Sequence, residues 1–226
     1  FCFVTIPKIR FIIKYFNMII TMDSLNYSKI ANIIKLSCTP KLCLQQKVAL
    51  IDAKQVSYFL QNFTEYNIHE TSKTYLRKQN TDLIKKSLTW LELSTINNIV
   101  CYDDNHYPPA LRQIACPPLI LFCQGNLELL KTNSIAIVGS RKSSCNGNKT
   151  ALSFAKSLSS LGITIVSGLA KGIDSYAAIA ALESYGSTIA VLGTGPDIIY
   201  PRENKSLYEK IRKQGLIVTE FFPKTE

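Results

Sequence analysis

Glycine, serine and two cations follow one another at Gly139-Ser140-Arg141-Lys142, directly after the apolar run Ile135-Ala-Ile-Val138. Glycine lets the backbone approach a ligand closely, and a guanidinium presents a planar fork that matches a phosphate. The arrangement recurs along the chain. Ile163-Thr-Ile-Val-Ser167 empties into Gly168-Leu-Ala-Lys171-Gly172, and Thr188-Ile-Ala-Val-Leu192 into Gly193-Thr-Gly195, ahead of Tyr200-Pro-Arg-Glu-Asn204. Where such a turn opens a helix, the free amides and the helix dipole add to the attraction for an anion. The pattern therefore predicts phosphate binding at Gly139, Ser140, Arg141, Gly168, Lys171 and Gly172. Lys142, Asp174, Gly193, Gly195, Tyr200 and Asn204 are accessory candidates. Asp174 reads first as a cap for the helix after Gly172, and second as a group that holds ligand or orients Lys171. Tyr200 either packs or offers a stacking surface to a base. The plain alternative is that these glycines only make tight turns and the cations are solvated, and three aligned repeats weigh against it.

Other chemistries are poorly served. Gly193-x-Gly195-x-x-Ile198 fails the dinucleotide fingerprint at its third position, and no Gly-x-x-x-x-Gly-Lys-Ser/Thr occurs. The two histidines, His69 and His106, fall outside these segments and lack a nucleophile partner, so a Ser/His/Asp site is not expected. Seven scattered cysteines show neither Cys-x-x-Cys nor zinc spacing, which points to reduced thiols and no metal site. Cys38 and Cys43, flanking Thr-Pro-Lys-Leu, are the one pair spaced to close a small loop. No cofactor and no catalytic residue are expected.

The elements that must carry the turns follow from periodicity. Strand Ile135–Val138 precedes a helix Gly147–Leu161 with Ala151, Phe154, Ala155, Leu158 and Leu161 on one stripe. Strand Ile163–Ser167 precedes helix Ile173–Ser184, strand Ile189–Leu192 precedes helix Glu203–Gln214, and strand Ile217–Glu220 follows. Continuous apolar strands joined through helices imply a parallel sheet covered on both faces, with right-handed crossovers. The expected fold is thus α/β, a Rossmann-like partial sheet of about four strands over 134–226, with ligands at the carboxyl ends of its strands.

Upstream, 24–98 reads as a small helical, SAM-like domain, with Tyr27, Ile30, Ala31 and Ile34 at helical spacing and a further helix over Thr81–Leu93. A linking segment, 99–133, holds two short strands, Ile99–Tyr102 and Leu119–Phe122, around a proline-rich turn at Asp103–Pro109. Residues 1–23 form an apolar, basic extension interrupted by Lys8, Arg10 and Lys14. Its uncharged runs are too short to span a bilayer, and Met18 and Met22 are alternative starts. A net charge of +10 suits a polyanionic partner such as nucleic acid, and a solvated lysine-rich surface gives the same total. Residues 1–80 carry 11 Lys and Arg against 4 acidic groups, and 134–226 carry 11 against 7.

The ordered words Ile137-Val-Gly-Ser-Arg141, Val166-Ser-Gly-Leu-Ala-Lys-Gly-Ile-Asp174, Val191-Leu-Gly-Thr-Gly195, Tyr200-Pro-Arg-Glu-Asn204 and Thr219-Glu-Phe221 resemble the DNA-processing protein A (DprA/Smf) family of bacteria. Asp104-x-x-Tyr107-Pro, Pro117-Pro-Leu-Ile-Leu-Phe122 and Gly125-Asn126 extend the resemblance, which covers about 99–226. It implies a cytoplasmic protein that binds single-stranded DNA in a basic pocket, forms a homodimer and loads RecA during natural transformation. On motif position it places Arg141 and Lys171 on phosphates, with Gly139, Ser140, Gly168 and Gly172 lending backbone. Two departures stand out. Ala178 occupies a helix position where the family often has histidine, and the family's sheet continues past the Glu-Phe-Pro region where this sequence stops, as in a C-terminal truncation. Two other readings compete: a phosphoribohydrolase-like nucleotide-processing enzyme, whose Pro-Gly-Gly-x-Gly-Thr-x-x-Glu word is absent, and a non-functional fragment whose fourth strand is an open edge.

Overall fold

The computed structural model describes residues 26–78 and 81–226, so the apolar extension and its candidate starts lie outside the described residues. The chain divides into two compact units between 79 and 80.

The first unit is helical. Helix α1 covers 26–37, followed by α2 (Leu44–Asp52), α3 (Val56–Asn62), a 3₁₀ turn (Phe63–Glu65) and α4 (Glu70–Arg77). Ile30, Ile33 and Ile34 recur at helical spacing and are buried, as are Ile51, Phe59 and Leu76. His69 caps α4, its Nδ1 accepting the Thr71 N–H at 3.1 Å.

The second unit runs α5 (Asp82–Glu92), β1 (Asn97–Cys101), α6 (Pro109–Arg112), β2 (Ile120–Gly125), β3 (Ser134–Ala136), α7 (Cys145–Ser160), β4 (Thr164–Ser167), α8 (Ile173–Leu182), β5 (Thr188–Val191), α9 (Lys205–Gln214) and β6 (Leu216–Thr219). Its sheet has six strands in the order β1-β2-β6-β5-β4-β3. Strands β3 to β6 are parallel to one another, while β2 pairs antiparallel with both β6 and β1. The four strands expected over 134–226 form this parallel block, and two more strands extend the sheet. The two strands read as a link belong to the sheet, and β2 covers the edge of β6 that was expected to be open.

The physical reason lies in the turn between them. Arg112 donates to the Tyr102 carbonyl at 2.8 and 3.1 Å and sits over the rings of Tyr102 and Tyr107, and the buried Tyr107 donates to the Pro118 carbonyl at 2.6 Å. The returning strand then buries Leu121, Phe122 and Cys123, with Trp90 of α5 edge-on to Phe122 at 5.5 Å. Tyr208 of α9 fixes the join. Its hydroxyl reaches Gln124 at 2.5 Å and the Pro196 carbonyl at 2.7 Å, and burial pushes the phenol pKa up.

Two further expectations change. Consecutive strands β3 to β6 are neighbours, so right-handed crossovers stack α7, α8 and α9 on one face. Ala155, Ile165, Ala177, Ala180 and Ala181 pack beneath α7 and α8, and Leu169, Ala190, Leu207, Ile211 and Ile217 beneath α8 and α9. Among the described residues the strands are therefore not covered by helices on both faces: Val191 is 46% exposed, and all of β3 is exposed at the sheet's edge. The stripe on α7 is also rotated. Ala151, Ala155 and Ser159 are buried, whereas Phe154 and Leu161 are exposed, because close contact with the alanines of α8 needs the small residues of α7.

Candidate functional site

The carboxyl ends of β3, β4 and β5 converge on one cleft of about 700 Å³. Arg141 enters it from the loop after β3, Lys171 from the loop after β4, and Arg202 from the 3₁₀ turn (Arg202–Asn204) before α9. Gly193 and Thr194 line it beyond β5, Leu192, Ile198 and Ile199 supply apolar walls, and Glu226 also lines it. Tyr200 stands at its side, 60% exposed, so it does not pack into the core. Among the described residues neither Arg141 nor Arg202 forms an ion pair, while Lys171 pairs with Glu203 at 2.5 Å. That contact holds the Glu203 carboxyl below its ordinary pKa. The parallel block contains no reversal of strand order among the described residues, so strand-end position alone, not a switch point, places the cleft.

The loops are held in register by groups that sequence spacing does not display. Asp174, 5% exposed, accepts the Gly139 N–H at 3.2 Å on Oδ1 and the Gly168 N–H at 3.0 Å on Oδ2. It is neither a cap of its own helix nor a partner of Lys171: it ties two strand ends together. Those two amides are consequently engaged inside the protein. The Ser140 carbonyl accepts from the Ile173 N–H at 3.3 Å, and the Ser140 hydroxyl accepts from the Lys142 N–H at 3.1 Å. Lys142 is exposed and lies outside the cleft lining.

Gly172 begins α8 with φ +80°, and a β-carbon there would stand 2.2 Å from the Ser140 carbonyl oxygen. No L-residue satisfies both demands. Gly172→Ala is expected to destabilise this unit by about 2 kcal/mol or more, read as a melting temperature lower by at least about 5 °C. An unchanged melting temperature would show that the two loops are not locked as described.

Asn204 fastens the third loop, donating to the Leu169 carbonyl and to Ser175 Oγ, both at 2.8 Å. Gly195 gives its N–H to the Thr225 carbonyl at 2.7 Å, and Thr194 Oγ1 donates to the Ile198 carbonyl at 3.0 Å. Of the predicted residues, Arg141, Gly168, Lys171, Gly193 and Tyr200 thus share the cleft. Gly139, Gly172, Asp174 and Asn204 instead hold its loops. Arg202 was missed as a site residue, although it stands inside the word Tyr200-Pro-Arg-Glu-Asn204, where its charge one step after proline was the available signal. His106 lies outside the cleft lining and contacts Glu128 at 2.9 Å.

Among the described residues no cluster of His, Cys, Asp or Glu is arranged to hold a metal ion, and no helix is long and apolar enough to cross a membrane. An exposed trio of cations beside apolar walls and an exposed aromatic ring suits a ligand with both phosphates and flat rings.

The family described as DNA recombination-mediator protein A matches residues 98–226. DNA processing protein DprA of Streptococcus pneumoniae is 46% identical over 120 residues, 53% of this chain and 42% of that protein. Protein Smf of Escherichia coli K12 is 39% identical over 140 residues, covering 62% of this chain and 37% of its own length. The chain thus spans less than half of these relatives. The X-ray structure of S. pneumoniae DprA superposes with a TM-score of 0.71 at 31% identity, over 86% of this chain and 68% of that one. A Helicobacter pylori DprA structure, described for its single-stranded DNA binding mode, gives a TM-score of 0.52 at 30% identity, over 57% of this chain and 58% of that one. With the strand-end words, the sheet and the matched span in agreement, this chain belongs to the DNA recombination-mediator protein A family of DNA-processing proteins.

Proposed function

We propose that the chain binds single-stranded DNA in the strand-end cleft, and that it acts by binding without catalysis. The observation that carries this reading is the convergence of Arg141, Lys171 and Arg202 on one cleft that also holds Tyr200. Three cations follow a phosphate backbone, while an exposed ring and apolar walls accept bases whatever their sequence. Duplex DNA keeps its bases stacked inside the helix and offers no ring to Tyr200. In the fuller reading carried by the family, the protein works in the cytoplasm as a homodimer and passes bound DNA to RecA during uptake.

Titration of oligothymidylate and a duplex of equal length against the folded protein tests the reading. Single strands are expected to bind more tightly, with affinity that falls steeply as salt rises. Tyr200→Ala is expected to weaken single-strand binding by roughly 10-fold, the loss of one stacked base at about 1–3 kcal/mol. Equal affinity for both DNA forms, unaffected by Tyr200→Ala, would sink it.

A further inference from the structure

The ion pair between Lys171 and Glu203 joins two loops of the cleft at 2.5 Å, with the side chains 52% and 64% exposed. An exposed pair of this kind contributes little to folding. The same two loops are already clasped by Asn204, which bonds Leu169 and Ser175. Holding the loops together therefore does not require Glu203. Its carboxylate does change what Lys171 offers a ligand: the ammonium that lines the cleft already has an anion in contact. Arg141 and Arg202 have none among the described residues.

Resting on the reading that DNA phosphates enter this cleft, we propose that Glu203 is a built-in competitor for Lys171, displaced by the phosphate backbone on binding and returning to promote its release. A carboxylate and a phosphate cannot both fill the close contact of one ammonium without repelling each other. Part of the attraction between Lys171 and DNA is thus spent on freeing Glu203, and affinity is set below what the three cations would give unopposed.

The test is a double-mutant cycle on the full chain, with oligothymidylate as the probe and melting curves to verify folding. Glu203→Gln is expected to tighten binding about 5-fold and to steepen the salt dependence by up to about 0.7 in log–log slope, one further single-strand phosphate contact fully expressed. In a Lys171→Ala background the same change is expected to shift affinity less than 2-fold. Glu203→Ala, the second variant, is expected to act in the same direction. Unchanged or weaker binding by Glu203→Gln would overturn the proposal, as would equal tightening in both backgrounds, which would indicate only a general field. Absence of binding by the unmodified protein would instead overturn the underlying assignment of DNA to the cleft, a result visible before any variant is made.

Discussion

The Arg141→Ala, Lys171→Ala double variant is expected to bind oligothymidylate about 30-fold more weakly than the unmodified chain. Each exposed cation is taken to contribute about 1 kcal/mol, below the range of about 1.5–3 kcal/mol for hydrogen bonds to charged groups, because solvent screens both. Both side chains line the same cleft from successive strand ends, so their losses fall on one bound strand. The log–log salt slope should become shallower by about 0.7 to 1.4, since each fully expressed single-strand phosphate contact carries about 0.7 and Glu203 offsets part of that of Lys171. Both changes are measured in one set of gel-shift or anisotropy titrations at several salt concentrations. A double variant with unchanged affinity and slope would remove the cleft from DNA binding.

The second large effect acts through structure. Asp174→Ala is expected to lower the stability of the sheet unit by about 2–4 kcal/mol, because it leaves the Gly139 and Gly168 amides without the carboxylate that accepts from both. For a unit of this size that is a fall in melting temperature of roughly 5–15 °C. Asp174→Asn keeps the shape and one acceptor oxygen but sets an NH₂ group against one of the two amides, so an intermediate loss is expected. DNA affinity should fall in parallel, since the loops that carry Arg141 and Lys171 begin at those glycines. A variant that melts like the parent would show that the two strand ends are aligned by something other than this carboxylate.

Much of this arrangement was legible in the sequence. Four apolar strands each running into a turn, with helical stripes between them, specify a parallel α/β sheet, and glycines followed by cations mark the strand ends that line the cleft. Long-range pairing was the part that could not be read. Strands β1 and β2 are separated by a proline-rich turn, and nothing local to Ile99 or Phe122 says that they will pair antiparallel with each other and, through β2, with β6. That outcome depends on Arg112 closing the intervening turn and on Tyr208, 84 residues from Gln124, finding its partner. The exposure of β3 is hidden from its composition for a related reason. Ile135 is apolar like its counterparts on β4 and β5, yet its strand stands at the edge and is exposed.

Roles within the site divide along the same line. Residue type alone singles out Arg141 and Lys171, which both line the cleft, because a cation after a strand-end glycine has few local structural uses. Asp174 offered a local use, capping, which concealed the distant one: its two amide partners lie 35 and 6 residues away. Glu203 carries a charge opposite to that sought in an anion site, so its contact with Lys171, 32 residues distant, becomes visible only in three dimensions.

The basic first 80 residues offer DNA a second positively charged region, so the decisive question is where the strand lies. Photo-cross-linking of 5-iodouracil oligonucleotides, followed by mass-spectrometric identification of the modified peptides, locates it directly. The cleft assignment predicts cross-links on the tryptic peptide that follows Lys171, ends at Arg202 and contains Tyr200. Cross-links confined to residues before 80, with that peptide unmodified, would contradict it.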